Sequence, residues 1–103
     1  MSIEVRRPLM AANWKMHLSI AEGVSFIAKL HELVGTPQDR EVLIAPPFTH
    51  LWPLRESMAA AGFSLAAQNC HWEPQGAYTG EVSLGMLAEA GCRYVIVGHS
   101  ERR

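Results

Sequence analysis

Short unbroken apolar runs alternate along this chain with longer stretches in which apolar residues recur every three or four positions. The runs are 8–13 (PLMAAN), 41–45 (EVLIA), 63–68 (FSLAAQ) and 94–97 (YVIV), and each predicts a strand. They are continuous rather than alternating, the pattern of strands covered on both faces. Between the first two, Ile20, Val24, Ile27, Leu30 and Val34 keep helical spacing on one face. Ser19 and Glu22 have the spacing of a capping box opening a helix over 19–34, and Gly35 and Pro37 supply its stop.

A second helix follows 41–45 and the prolines Pro46 and Pro47, with Thr49 placed to cap it. Leu51, Leu54 and Met58 form its inner face, Pro53 is tolerable because it falls near the first turn, and Gly62 ends it. After the third run comes a polar loop, 69–81 (NCHWEPQGAYTGE), then a short helix capped by Ser83 and ending at Gly91. The order is βαβαβαβ. Helical crossovers between such strands imply α/β architecture, with a parallel sheet and right-handed connections. Periodicity alone does not separate an open doubly wound sheet from part of a closed barrel.

Composition narrows the function classes. With 103 residues the chain fits one small domain, and 49% hydrophobic and 18% charged residues place it among soluble globular proteins. The net charge is −1 and the nine basic residues are scattered, which offers no footprint for nucleic acid or an anionic membrane. The apolar stretch after Arg6 and Arg7 is too short for a signal peptide, and no run approaches the roughly 18 apolar residues of a membrane span. Cys70 and Cys92 lack the paired spacing of zinc or redox motifs, so reduced structural cysteines in a cytoplasmic protein are expected.

Polar residues gather where a parallel α/β protein keeps its chemistry, at the carboxyl ends of strands. The first run ends in Asn13, Trp14 and Lys15, the third in Gln68 and Asn69, and the fourth in Gly98, His99, Ser100 and Glu101. Lysine occurs only twice, as Lys15 and Lys29, so its use at a strand end is selective. Converging there, a cation, an amide and an imidazole can face one small anionic or carbonyl substrate. The turn SERR after His99 would present its amino end to the imidazole and disfavour its positive form. His17, His31, His50 and His71 show no ligand spacing, and His31 is expected to be exposed. There is no GxGxxG, Walker loop or GxSxG elbow, so neither a dinucleotide nor a metal cofactor is expected.

Three segments, AANWKMH at 11–17, AQNCHWEPQGAYTGEVS at 67–83 and YVIVGHSERR at 94–103, together with APPF at 45–48, resemble triosephosphate isomerase in the right order. The resemblance covers the whole chain and implies residues 1–103 as a single partial domain, the amino-terminal half of a TIM (β/α)₈ barrel. The family interconverts dihydroxyacetone phosphate and glyceraldehyde 3-phosphate through an enediolate, in glycolysis and gluconeogenesis, as a cytoplasmic homodimer without a cofactor. Carried over by motif, Asn13 and Lys15 are substrate-contacting, and Lys15 stabilises the developing negative charge. His99 is the electrophile that polarises the carbonyl, with Ser100 and Glu101 supporting it and Glu101 paired with Lys15. A neutral histidine at this position is an established feature of the family rather than a reading of these residues. The loop matches the family's dimer loop, in which Thr79, with Gly80 and Glu81, would enter the partner subunit's site and brace Asn13 and His99. Departures are His17 where asparagine is common, and SLGML in place of SPAML or SGEML.

The resemblance also implies what the chain does not carry. A barrel of this kind has eight strands and about 250 residues. No residue here matches the family's general-base glutamate after the sixth strand, or its later phosphate-binding loops. The chain alone is expected to be inactive, and also either to self-associate or to be partly unfolded. The end at Arg103, inside a polar motif, suggests a piece of a longer protein, and coding sequence continuing past it into a segment bearing that glutamate would agree. A non-catalytic half barrel that binds a phosphorylated metabolite or a partner chain is the alternative.

Overall fold

The computed structural model describes residues 8–98. His99, Ser100 and Glu101 lie outside them. Four parallel strands, β1 (Leu9–Asn13), β2 (Glu41–Ala45), β3 (Ser64–Ala67) and β4 (Cys92–Val95), form one sheet in the order β1-β2-β3-β4. They alternate with three helices, α1 (Ile20–Val34), α2 (Leu51–Ala61) and α3 (Leu84–Glu89). The strand order never reverses, so the helices share one face. Ile27 of α1, Leu54 and Met58 of α2 and Leu87 of α3 are buried in one cluster with Val42, Ile44, Leu65 and Ala67 of the sheet. The alternate strand residues Leu43, Ala45 and Ala66 form a second cluster with Tyr94 and Ile96. This single winding answers what periodicity left open: it is the winding of a barrel, whereas a doubly wound sheet reverses its strand order.

Local chemistry explains most boundaries. Ser19 Oγ accepts the Glu22 N–H at 3.1 Å while Glu22 Oε1 accepts the Ser19 N–H at 2.9 Å, so the expected capping box opens α1. The Glu22 carboxyl is held below its ordinary range by that backbone hydrogen bond. Gly62 ends α2 in the left-handed region at φ 75°, and Ser83 Oγ accepts the Met86 N–H at the start of α3.

Several expectations need correction. Thr49 does not cap α2: residues Phe48–His50 form a 3₁₀ turn, and the Thr49 hydroxyl bonds the His50 ring instead. The fourth strand starts two residues earlier than expected, at Cys92, and Arg93 is an extra residue opposite β3, since Leu65 pairs with Cys92 and Ala66 with Tyr94. The first strand is not buried. It has one neighbour among the described strands, and Leu9 and Met10 are about half exposed. The burial of α1 centres on Gly23 and Ile27, while Ile20, Val24 and Val34 stay exposed. The cause is Trp14, whose ring lies over Gly23: a Cβ there would stand 3.0 Å from Trp14 Cζ3. The helix turns its glycine to the ring, and Phe26 meets Trp14 edge-on at 5.4 Å. His31 is half-buried, bonded through Nε2 to Thr36 Oγ1 at 2.9 Å and edge-on to Phe63.

Candidate active site at the strand ends

The carboxyl end of β1 is a tightly specified piece of backbone. The chain continues from Asn13 by donating the Trp14 N–H to the Ala45 carbonyl at 3.0 Å, and Trp14 is buried. Lys15 then adopts φ 54°, a left-handed conformation that a side chain with a Cβ rarely takes. Two groups hold it there. The Asn13 Oδ1 accepts the Lys15 N–H at 2.8 Å, and Gln68 Nε2 donates to the Lys15 carbonyl at 2.7 Å. The same Gln68 amide donates to the Ala45 carbonyl at 2.9 Å. One side chain from the end of β3 thus ties the ends of β1 and β2.

Of the residues expected to form the site, Asn13, Lys15 and the end of β3 are therefore brought together. Lys15 is exposed. Asn13 serves the backbone through its oxygen, which leaves its amide N–H₂ as a donor. Thr79, Gly80 and Glu81 are exposed residues of the β3–α3 loop. The Glu81 N–H returns to the Tyr78 carbonyl at 2.9 Å across a turn in which Gly80 takes φ 89°. Within the loop His71 is buried between Trp72, 4.3 Å away, and Tyr78, 4.1 Å away, and its Nδ1 lies 4.0 Å from Glu81 Oε2. Trp72 itself is 80% exposed, a large apolar face turned outwards.

One contributor was legible only in part, and another escaped the sequence reading. Gln68 was visible only as a polar end to an apolar run; its role as a bridge depends on which strands become neighbours. His50 bonds the Leu18 carbonyl from 32 positions away, and no local pattern signals that.

Other parts of the molecule offer less chemistry. A cavity of about 600 Å³ lies between α1 and β1–β2, lined by Met10, Phe26, Leu30 and Val34 and by residues 36–40. The polar part of its lining, Thr36, Gln38, Asp39 and Arg40, belongs to the loop between α1 and β2, and there Arg40 is paired with Asp39 at 3.0 Å. Among the described residues no cluster of His, Cys, Asp or Glu is placed to hold a metal ion, and no helix is long and apolar enough to cross a membrane. Cys92 is half-buried, and desolvation pushes its thiol up to about 11, the opposite of a reactive cysteine.

Strands wound in one direction, helices on one face and a polar cluster at the strands' carboxyl ends define an α/β protein with the architecture of half a (β/α)₈ barrel. A sequence profile of the triosephosphate isomerase family matches residues 8–103. The triosephosphate isomerase of Aquifex aeolicus (strain VF5) is 52% identical over 97 residues, covering 94% of this chain and 39% of the relative. That of Herpetosiphon aurantiacus is 50% identical over 99 residues, covering 96% and 40%, and that of Syntrophotalea carbinolica is 48% identical over 99 residues, covering 96% and 39%. The chain belongs to the triosephosphate isomerase family. It spans about two-fifths of the length of the curated relatives it matches.

Proposed function

We propose that this chain supplies the amino-terminal half of a triosephosphate isomerase barrel, which interconverts dihydroxyacetone phosphate and glyceraldehyde 3-phosphate. The observation that carries the reading is the backbone at Lys15. A strained, exposed lysine held by two side-chain hydrogen bonds at the carboxyl end of a barrel strand is a group positioned for a ligand. Its ammonium would stabilise the charge that develops on the substrate oxygen as a proton leaves the adjacent carbon. Asn13, whose amide keeps its donor hydrogens, would contact the same substrate. His99 would polarise the carbonyl from the end of the fourth strand, with Ser100 and Glu101 as its support.

The proton itself must be taken by a general base that this chain does not supply. General acid–base catalysis contributes about 10²–10⁴ in rate, so the activity is assigned to the complete barrel and not to residues 1–103 alone. The exposed aromatic loop fits a homodimer in which Thr79, Gly80 and Glu81 reach a partner subunit's site, and a cytoplasmic enzyme of glycolysis and gluconeogenesis fits the whole reading. The test is a coupled isomerase assay on a complete barrel made by joining this chain to the remaining three-fifths of the Aquifex aeolicus relative. Turnover that Lys15→Met lowers by about 10²–10³ or more supports the reading, and a folded barrel without turnover contradicts it.

A further inference from the structure

The loop between β1 and α1 is left-handed twice. Lys15 takes φ 54° and Leu18 takes φ 69°, and neither is a glycine. Such conformations persist only where the surroundings over-determine them. Packing does not do so in the middle of this loop, since Met16 is 91% exposed. What the two strained residues share is that each gives its carbonyl to a side chain from a neighbouring strand's end. Gln68 Nε2 takes Lys15 O at 2.7 Å, and His50 Nε2 takes Leu18 O at 2.8 Å.

The His50 ring is itself fixed. A carbonyl oxygen can only accept, so the Nε2 facing Leu18 carries the hydrogen. The other nitrogen, Nδ1, lies 2.8 Å from Thr49 Oγ1, and in the neutral ring it accepts from that hydroxyl. The imidazole is therefore a strut from the 3₁₀ turn after β2 to the last residue before the Ser19 cap of α1. Gln68 holds the near end of the loop and His50 the far end, with Lys15 presented between them.

We propose that His50 is a positioning residue for Lys15, acting through the Leu18 carbonyl to hold the β1–α1 loop in the conformation that presents the ammonium to substrate. The proposal rests on the reading of Lys15 as the group that stabilises the reacting oxygen. Precise placement of such a charge governs the rate more than the binding of substrate, because a loosened donor still reaches the ground state but meets the transition state poorly.

The test uses the complete barrel joined to the Aquifex aeolicus remainder. His50→Ala is expected to lower kcat about five- to tenfold, the worth of one hydrogen bond, with KM within about twofold. His50→Gln, whose amide N–H can reach Leu18, should keep kcat within about twofold of the parent, which separates the lost bond from a misfolded protein. The deciding readout is a double-mutant cycle: in a Lys15→Met background His50→Ala should cost no further activity. If His50→Ala lowers only the melting temperature and leaves kcat unchanged, or lowers kcat by the same factor without Lys15, the positioning role is wrong. A parent barrel that folds but does not turn over would instead refute the functional reading itself, and this inference with it.

Discussion

The Gln68 amide donates to the Lys15 carbonyl at 2.7 Å and to the Ala45 carbonyl at 2.9 Å, so a residue at the end of β3 fixes the ends of both β1 and β2. Replacing it by leucine removes both bonds and should destabilise a complete barrel by about 1–2 kcal/mol. Gln68→Glu should do more harm at neutral pH, because it sets a carboxylate against two carbonyl oxygens. Urea unfolding of the two variants checks the order. Equal stability of Gln68→Glu and the parent would show that the bridge does not hold.

The Gly23 position tests whether Trp14 is rigid. An alanine Cβ would stand 3.0 Å from Trp14 Cζ3 and 3.3 Å from Leu54 Cδ1. Alanine adds about 1 kcal/mol of helix propensity, but crowding of this kind costs about 1–3 kcal/mol. Trp14 is tied by its own N–H to Ala45 and bounded by Phe26, so it cannot yield easily. Gly23→Ala should therefore be destabilising by about 1 kcal/mol net, and Gly23→Val by more. Thermal melts decide it; a raised melting temperature for Gly23→Ala would mean that the ring moves aside.

These two glycine and glutamine positions also mark how far the residues could be read before folding. The strands, the α1 capping box and the βαβαβαβ order follow from local periods and caps, which act within a few residues. The polar strand ends at Asn13, Lys15 and Gln68 were legible for the same reason, as interruptions of apolar runs. What was not legible depends on non-local neighbours. Gly23 facing Trp14 displaced the apolar stripe of α1, the open edge at β1 exposed Leu9 and Met10, and the His50 bond to Leu18 joins residues 32 apart. Thr49 looked like a cap, yet its hydroxyl serves the His50 ring instead. The assignments of Asn13, Lys15 and His99 to substrate contact came from resemblance of motifs; periodicity carried none of them.

Alkaline conditions should weaken the fold. Burial pushes the Cys92 thiol from 9.0 up to about 11. The Tyr94 hydroxyl is also raised, first by its 2.5 Å hydrogen bond to Glu41 Oε2. In both cases the unfolded chain gives up its proton at lower pH than the folded one. The stabilisation is therefore complete below pH 9 and is lost as pH rises through about 11 for Cys92, with Tyr94 acting in the same direction above its ordinary 10.0. Denaturant titrations at pH 8 and pH 10.5 check the sign, and the Cys92→Ala, Tyr94→Phe double variant should lose most of that dependence. Stability that rises between those pH values would contradict it.

The isolated 103-residue chain should show no measurable isomerase turnover, because none of its residues matches the general-base glutamate that the family resemblance calls for. A coupled assay of pure chain measures this directly. Turnover near that of the complete barrel would show that the chemistry here needs no residue beyond Arg103.

The central claim is that Lys15, at the carboxyl end of the first strand, carries charge stabilisation in a triosephosphate isomerase barrel. Its most direct test is kcat for the complete barrel, parent against Lys15→Met, with the melting temperature of each recorded. The account predicts isomerase turnover in the parent and a fall of at least about 10²–10³ in the variant, at an unchanged melting temperature. Equal kcat in the two proteins would contradict it.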